Sequence, residues 1–156
     1  MTSAIDKRLA ELGLVLPAAP APVANYVPAV IVGELLFVSG QISRAGDGTT
    51  ITGKLGGGVE IARGRDAARV CALNILAQAK AALGNLDRLA RIVKLTGFVN
   101  ATPDFVDHPQ VVNGASDLLV EILGEKGRHT RSAVGVAGLP LDAAVEIEAI
   151  IAIGKG

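Results

Sequence analysis

The order of elements along the chain predicts an α/β two-layer sandwich: a mixed β-sheet with two helices on one face. Three observations carry this reading. Short apolar runs alternate with two long amphipathic stretches, giving β-β-α-β-α-β-β after a short N-terminal helix. Of the 156 residues, 50% are apolar and 19% charged, so the apolar surplus exceeds what one helical layer hides. Two helices cover one face of a sheet only, and the other face must then meet another subunit.

Ser3 and Asp6 read as a helix start, with Ile5, Leu9 and Leu12 on one face and Gly13 as the stop. The stretch LPAAPAP (16–22) is an extended connector. These features divide the chain into an N-terminal helix and connector, 1–19, and a main domain, 20–156. YVPAVIV and LLFVSG flank the Gly33-Glu34 turn as paired strands, and Pro28 places the first near an edge. Residues 44–58 form a Gly-rich loop without the spacing of a phosphate-binding motif. Ile61, Ala68, Cys71, Ile75, Ala79 and Leu83 mark the apolar face of a helix over 59–83, closed by Gly84.

Residues 91–100 read as a strand, and His108-Pro109 opens a second helix with Val112, Ala115, Leu119 and Ile122 buried. The last two strands, SAVGVAG (132–138) and AVEIEAIIAI (144–153), are expected to pair as a hairpin around Leu139-Pro140-Leu141-Asp142.

The composition excludes several classes. Fifteen basic and fifteen acidic residues cancel, which argues against a nucleic-acid binder. No apolar window is long enough for a membrane span, and MTSAIDKRLAELG has no signal-peptide core, so a cytoplasmic protein is expected. The single Cys71 lies on a helix's apolar stripe and reads as a packed thiol. His108 and His129 lack metal-ligand spacing, so no metal is expected.

Two side chains stand out. Arg131 opens an otherwise apolar strand, where a guanidinium is costly unless it meets an anion. Glu146 alternates with Val145 and Ile147, and Glu148 shares its face roughly 7 Å along. Exposed strand carboxylates and a rim arginine are the plain alternative. Ser39-Gly40 ends a strand and offers a hydroxyl and backbone N–H groups, without a nucleophile-elbow motif.

Around these residues, RSAVGVAGLPLDAAVEIEAI (131–150) resembles the C-terminal signature of the YjgF/RidA family, also called the endoribonuclease L-PSP family. ANYVPAVIVGELLFVSGQIS (24–43) resembles its N-terminal hairpin, and LTGFVNATPDF (95–105) its strand followed by Asp-Phe. The resemblance spans most of 20–153, and the N-terminal helix and longer loop look like the family's longer branch.

That resemblance implies a chorismate-mutase-like fold of the bacillus type and a homotrimeric barrel with clefts between subunits. It implies hydrolysis of enamines and imines, such as 2-aminoacrylate and 2-iminopropanoate, to 2-keto acids and ammonia, without cofactor or metal. It assigns the substrate carboxylate to Arg131 and water activation to Glu146, with Tyr26, Ser39, Gly40 and Asn113 lining the cleft. Two positions depart from the family pattern: His129 stands two residues before the arginine, and Ala133, a cleft position, replaces a common cysteine.

If the final strands form a hairpin, Arg131 falls opposite a residue near Ile150 and Glu146 near Gly135, roughly 13 Å apart. The expectation is therefore that Arg131 of one subunit meets Glu146 of its neighbour. Two other functions stay open: a non-catalytic trimer binding small carboxylates or keto acids, and RNA cleavage, against which the neutral charge and lack of an aromatic platform argue.

Overall fold

The computed structural model describes residues 2–19 and 24–155. The end of the connector, 20–22, and the boundary expected after residue 19 fall outside them. Helix α1 (Ala4–Glu11) begins as the sequence predicts, with Ser3 and Asp6 bonding reciprocally in a capping box. Its Ile5 and Leu9 enter the main core, and Asp6 meets Lys80 at 2.8 Å. The carboxylate of Asp87 accepts from the N–H of Ala4 at 3.0 Å. This places a negative charge at the helix N-terminus.

A five-stranded sheet follows from β1 (Ala29–Val32), β2 (Leu35–Ile42), β5 (Leu89–Asn100), β6 (Thr130–Val136) and β7 (Val145–Ile153). Its spatial order is β1-β2-β7-β5-β6. Two very short strands in the Gly-rich loop, β3 (Lys54–Leu55) and β4 (Gly58–Val59), form a separate pair. Helices α2 (Ile61–Leu83) and α3 (His108–Leu123) share one core with the sheet. Pro28 immediately precedes β1, which is an edge strand as expected.

Close packing sets the helix–helix and helix–sheet distances. A Cβ at Gly114 would strike the backbone of Arg65, so α3 lies directly against α2 there. A Cβ at Gly97 would come within 2.7 Å of Val112, which fixes the approach of α3 to β5.

The expected C-terminal hairpin does not form. β6 pairs parallel with β5, while β7 runs antiparallel between β2 and β5. Burial accounts for the choice. Alternate residues of β7 are buried along its whole length, so this strand profits most from two neighbours. β6 carries two exposed residues in sequence, Val134 and Gly135, and tolerates an edge. The turn residues end β6 in a short 3-10 segment, with Leu141 and Asp142 at positive φ.

One face of the sheet is thus covered by helices and the other is bare. The bare face is apolar: Val30, Leu35, Phe37 and Val134 are each 37–48% exposed. Among the described residues no helix is long and apolar enough to cross a membrane.

Candidate functional site

Arg131 faces the helices from the edge strand. Its row neighbour on β5 is the fully buried Leu95, which puts both on the helix-covered side. There, Nη1 donates to Oδ1 of Asn113 at 2.7 Å and to Oγ of Ser116 at 3.1 Å. Both acceptors lie one turn apart on α3. Neither carries charge, and Arg131 forms no ion pair among the described residues. A guanidinium has five N–H donors, so those not held by α3 remain for a planar anion. Ala133 follows on the same side of β6 and packs against the core.

His129 completes this group. Its Nδ1 lies 2.5 Å from the carbonyl oxygen of Gly127, a pure acceptor, so Nδ1 carries the proton. Nε2 lies 2.9 Å from Oγ of Ser116 and accepts that hydroxyl's proton, while Oγ accepts from Arg131. A neutral imidazole completes this chain of donors. Burial lowers the His129 pKa, the Gly127 carbonyl partly opposes this, and the Arg131 charge lowers it further. His129 therefore acts through Ser116 to hold Arg131.

Glu146 stands on the other face. Its row neighbour on β5 is Phe98, three residues from Leu95, and an odd count reverses the side. Glu146 and Arg131 are also two strand spacings apart, so roughly 10 Å along and 10 Å across the sheet separate their rows. The 13 Å hairpin register expected from sequence is therefore replaced by a larger separation through the sheet.

β2 supplies the surroundings of Glu146. Val38 pairs with Ala149 and Gln41 with Ile147, leaving Ser39 and Gly40 together opposite Glu148. This is a β-bulge beside the candidate acid. A Cβ at Gly40 would collide with Oε2 of Glu146, so glycine is needed for the carboxylate to lie there. Ser39 Oγ donates to the carbonyl of Val27 at 2.9 Å. Burial raises the Glu146 pKa and the neighbouring Glu148 charge raises it further. Tyr26 is 54% exposed and lies with Gly40 at a cavity under the start of β1.

The predicted site residues therefore form two groups in one chain. Arg131, Asn113 and Ala133 lie at the helix-side edge; Glu146, Ser39, Gly40 and Tyr26 lie around the bulge. Ser116 was missed, although it stands three residues after Asn113 on an otherwise apolar stripe. Among the described residues no cluster of three His, Cys, Asp or Glu is placed to hold a metal. Cys71 is fully buried, donates to the Val145 carbonyl, and has its pKa pushed well up by burial, which leaves no reactive thiolate.

Residues 6–151 match a family model described as "YjgF/chorismate mutase-like, putative endoribonuclease". The chain belongs to the YjgF/RidA family. It is 50% identical to Protein TCP17 of Trypanosoma cruzi, over 97% of this chain and 95% of that one. It is 32% identical to the 2-iminobutanoate/2-iminopropanoate deaminase of Dermatophagoides farinae, over 88% of this chain and 92% of that one. The crystal structure of Atu1372 from Agrobacterium tumefaciens superposes with a TM-score of 0.88 at 51% identity, covering 96% and 94% of the two chains. The YjgF/RidA relationship thus includes α1, which the family match enters at residue 6.

Proposed function

We propose that this YjgF/RidA protein is a cofactor-independent imine deaminase, acting on 2-aminoacrylate and 2-iminopropanoate types of substrate. The observation that carries this reading is Arg131, a guanidinium oriented by two neutral partners and given no anion of its own. A substrate carboxylate completes it through a bidentate pair. The related mite protein named as an iminobutanoate/iminopropanoate deaminase supports the choice of reaction.

The chemistry needs no covalent nucleophile. With the carboxylate clamped, the C=N carbon lies close to a water held by Glu146. As the water oxygen bonds to carbon, one water proton passes to Glu146 and the imine nitrogen takes a proton from solvent, giving an aminol. The Glu146 carboxyl then gives its proton to the amino nitrogen, the carbon–nitrogen bond breaks to release ammonia, and the hydroxyl oxygen forms the carbonyl of the 2-keto acid as its proton passes to solvent. A raised Glu146 pKa suits a group that must both accept and give a proton.

One chain keeps Arg131 and Glu146 on opposite faces, so the site is built between subunits of a homotrimer, with the bare apolar face buried at its centre. The test is an imine generated in place by an amino-acid oxidase, its disappearance followed with wild type and with Arg131→Ala. Wild type accelerates the loss and the variant does not. Mixing Arg131→Ala with Glu146→Gln then restores activity at about a quarter of the sites, the fraction that combine intact halves. No recovery on mixing overturns the shared site. No acceleration by wild type, with carboxylate binding retained, favours the binding trimer instead.

A further inference from the structure

Beyond Arg131, the helix-facing side of the edge strand β6 carries almost no side chain. Ala133 and Gly135 follow at two-residue spacing, and the row neighbour of Gly135 on β5 is the fully buried Val99. Helix α3 runs antiparallel above them. Ser116 bonds Arg131, Val112 packs on Gly97 in the row of Ala133, and His108 lies over Gly135. A Cβ at Gly135 would collide with Nε2 of His108, so this imidazole needs glycine beneath it. One methyl and one glycine thus leave a trough beside α3, with the Arg131 guanidinium at one end and His108 at the other.

The His108 end is a cavity of about 330 Å3 between the loop after β5 and the end of β6. Its walls include Thr102, Pro103, Phe105, His108, Gly135 and Ala137. The Phe105 and His108 rings meet edge to face, with centroids 5.3 Å apart at 89°. Among the described residues no Asp, Glu, Lys or Arg lines it, and neither do the groups assigned above to carboxylate and water. Its volume is at the lower end of the range for small-molecule sites, which suits a side chain rather than a whole substrate. Uncharged walls with two aromatic rings favour a third ring, which adds edge or offset contacts to apolar burial.

Spacing links the cavity to the clamp. Asn113, which holds Arg131, is five residues from His108, about 7.5 Å along the helix. A 2-imino acid with two methylenes between its imine carbon and a phenyl ring covers a comparable length. We propose that the His108 cavity is the side-chain subsite of the deaminase, and that its preferred substrates are imines of 2-amino acids whose side chains end in an aromatic ring. This inference rests on Arg131 holding the substrate carboxylate. His108 and Gly135 then set specificity and take no part in the chemistry.

The test is calorimetric titration of the full chain with 2-oxo acids, the products of the reaction. The probes are pyruvate, 2-oxohexanoate and 4-phenyl-2-oxobutanoate. The phenyl acid binds about tenfold more tightly than pyruvate, with 2-oxohexanoate between them. Gly135→Val fills the trough and turns the imidazole aside. It weakens the phenyl acid about tenfold and shifts pyruvate less than about twofold, since Arg131 lies four residues away along the strand. Arg131→Ala weakens all three. If Gly135→Val fails to fold, His108→Ala decides, by weakening the phenyl acid and sparing pyruvate. Binding needs no turnover, so a chain that hydrolyses no imine would still show the preference, and that failure counts against the deaminase reading alone. Equal affinity for the three acids, no saturable binding of the phenyl acid, or a phenyl preference untouched by the variants overturns the proposal. So does phenyl-acid binding that survives Arg131→Ala, which would make the cavity a separate site.

Discussion

On the helix-facing side of β7, Val145, Ile147, Ala149 and Ile151 are at most 3% exposed. On the other side of the same strand, Glu146, Glu148, Ile150 and Ala152 remain half-buried or exposed. The covered side belongs to a finished core, while the bare side holds apolar surface and two adjacent carboxylates in a single chain. The difference teaches where each kind of residue can act. A charge on the covered side must be held at an edge by polar partners, as Arg131 is by Asn113 and Ser116. A charge on the bare side keeps access to water, as the half-buried Glu146 does.

Substitutions on the two sides of β7 are expected to act differently. Glu146→Gln is expected to reduce kcat by about 10²- to 10⁴-fold with little change in melting temperature, measured by steady-state imine hydrolysis. Full activity would remove Glu146 from the chemistry and leave the bare face a purely structural surface. Ile147→Ala, one residue along and on the covered side, is expected to cost about 2–5 kcal/mol in denaturant unfolding. Phe37→Lys on the bare face should instead lower the mass measured in solution, because it charges the surface proposed to bury between subunits.

A third test separates the two carboxylates. Glu148 adds to the burial that raises the Glu146 pKa. Glu148→Gln removes that repulsion, so the Glu146 pKa falls and the acid limb of the kcat/KM profile moves to lower pH. An unmoved limb would show that another group titrates there.

The smallest effect concerns α1, tied to the covered side. Lys80 holds the Asp6 carboxyl below its ordinary range, with the Ser3 bonds adding and burial opposing. Because the folded pKa is depressed, this contribution is present above the ordinary carboxylate pKa and lost as pH falls through the folded value. Asp6→Asn should therefore cost about 0.2–1 kcal/mol at neutral pH, as exposed pairs do, with the difference vanishing in acid.

The periodicity of 59–83, the Ser3 capping box, the Pro28 edge signal and the alternation of 145–153 were all legible, because each depends on residues close in sequence. The family signature added the identities of Arg131 and Glu146. The pairing of the last two strands was not legible. Their turn residues allow a hairpin, yet which strand takes the middle of a sheet depends on burial along both faces at once. Ser116 was hidden for a similar reason: a polar residue on a helix stripe gains meaning only from what the fold sets opposite it.

Sequence alone thus determined the class of fold, the two helices on one side and the chemistry available at Arg131 and Glu146, since propensity and side-chain type are local properties. Tertiary structure decided that these two groups face opposite ways, that His129 is partly buried against Ser116 with its pKa lowered, and that Gln78 borders a cavity. Each of those depends on strand order and helix packing, where distant residues compete for the same neighbours.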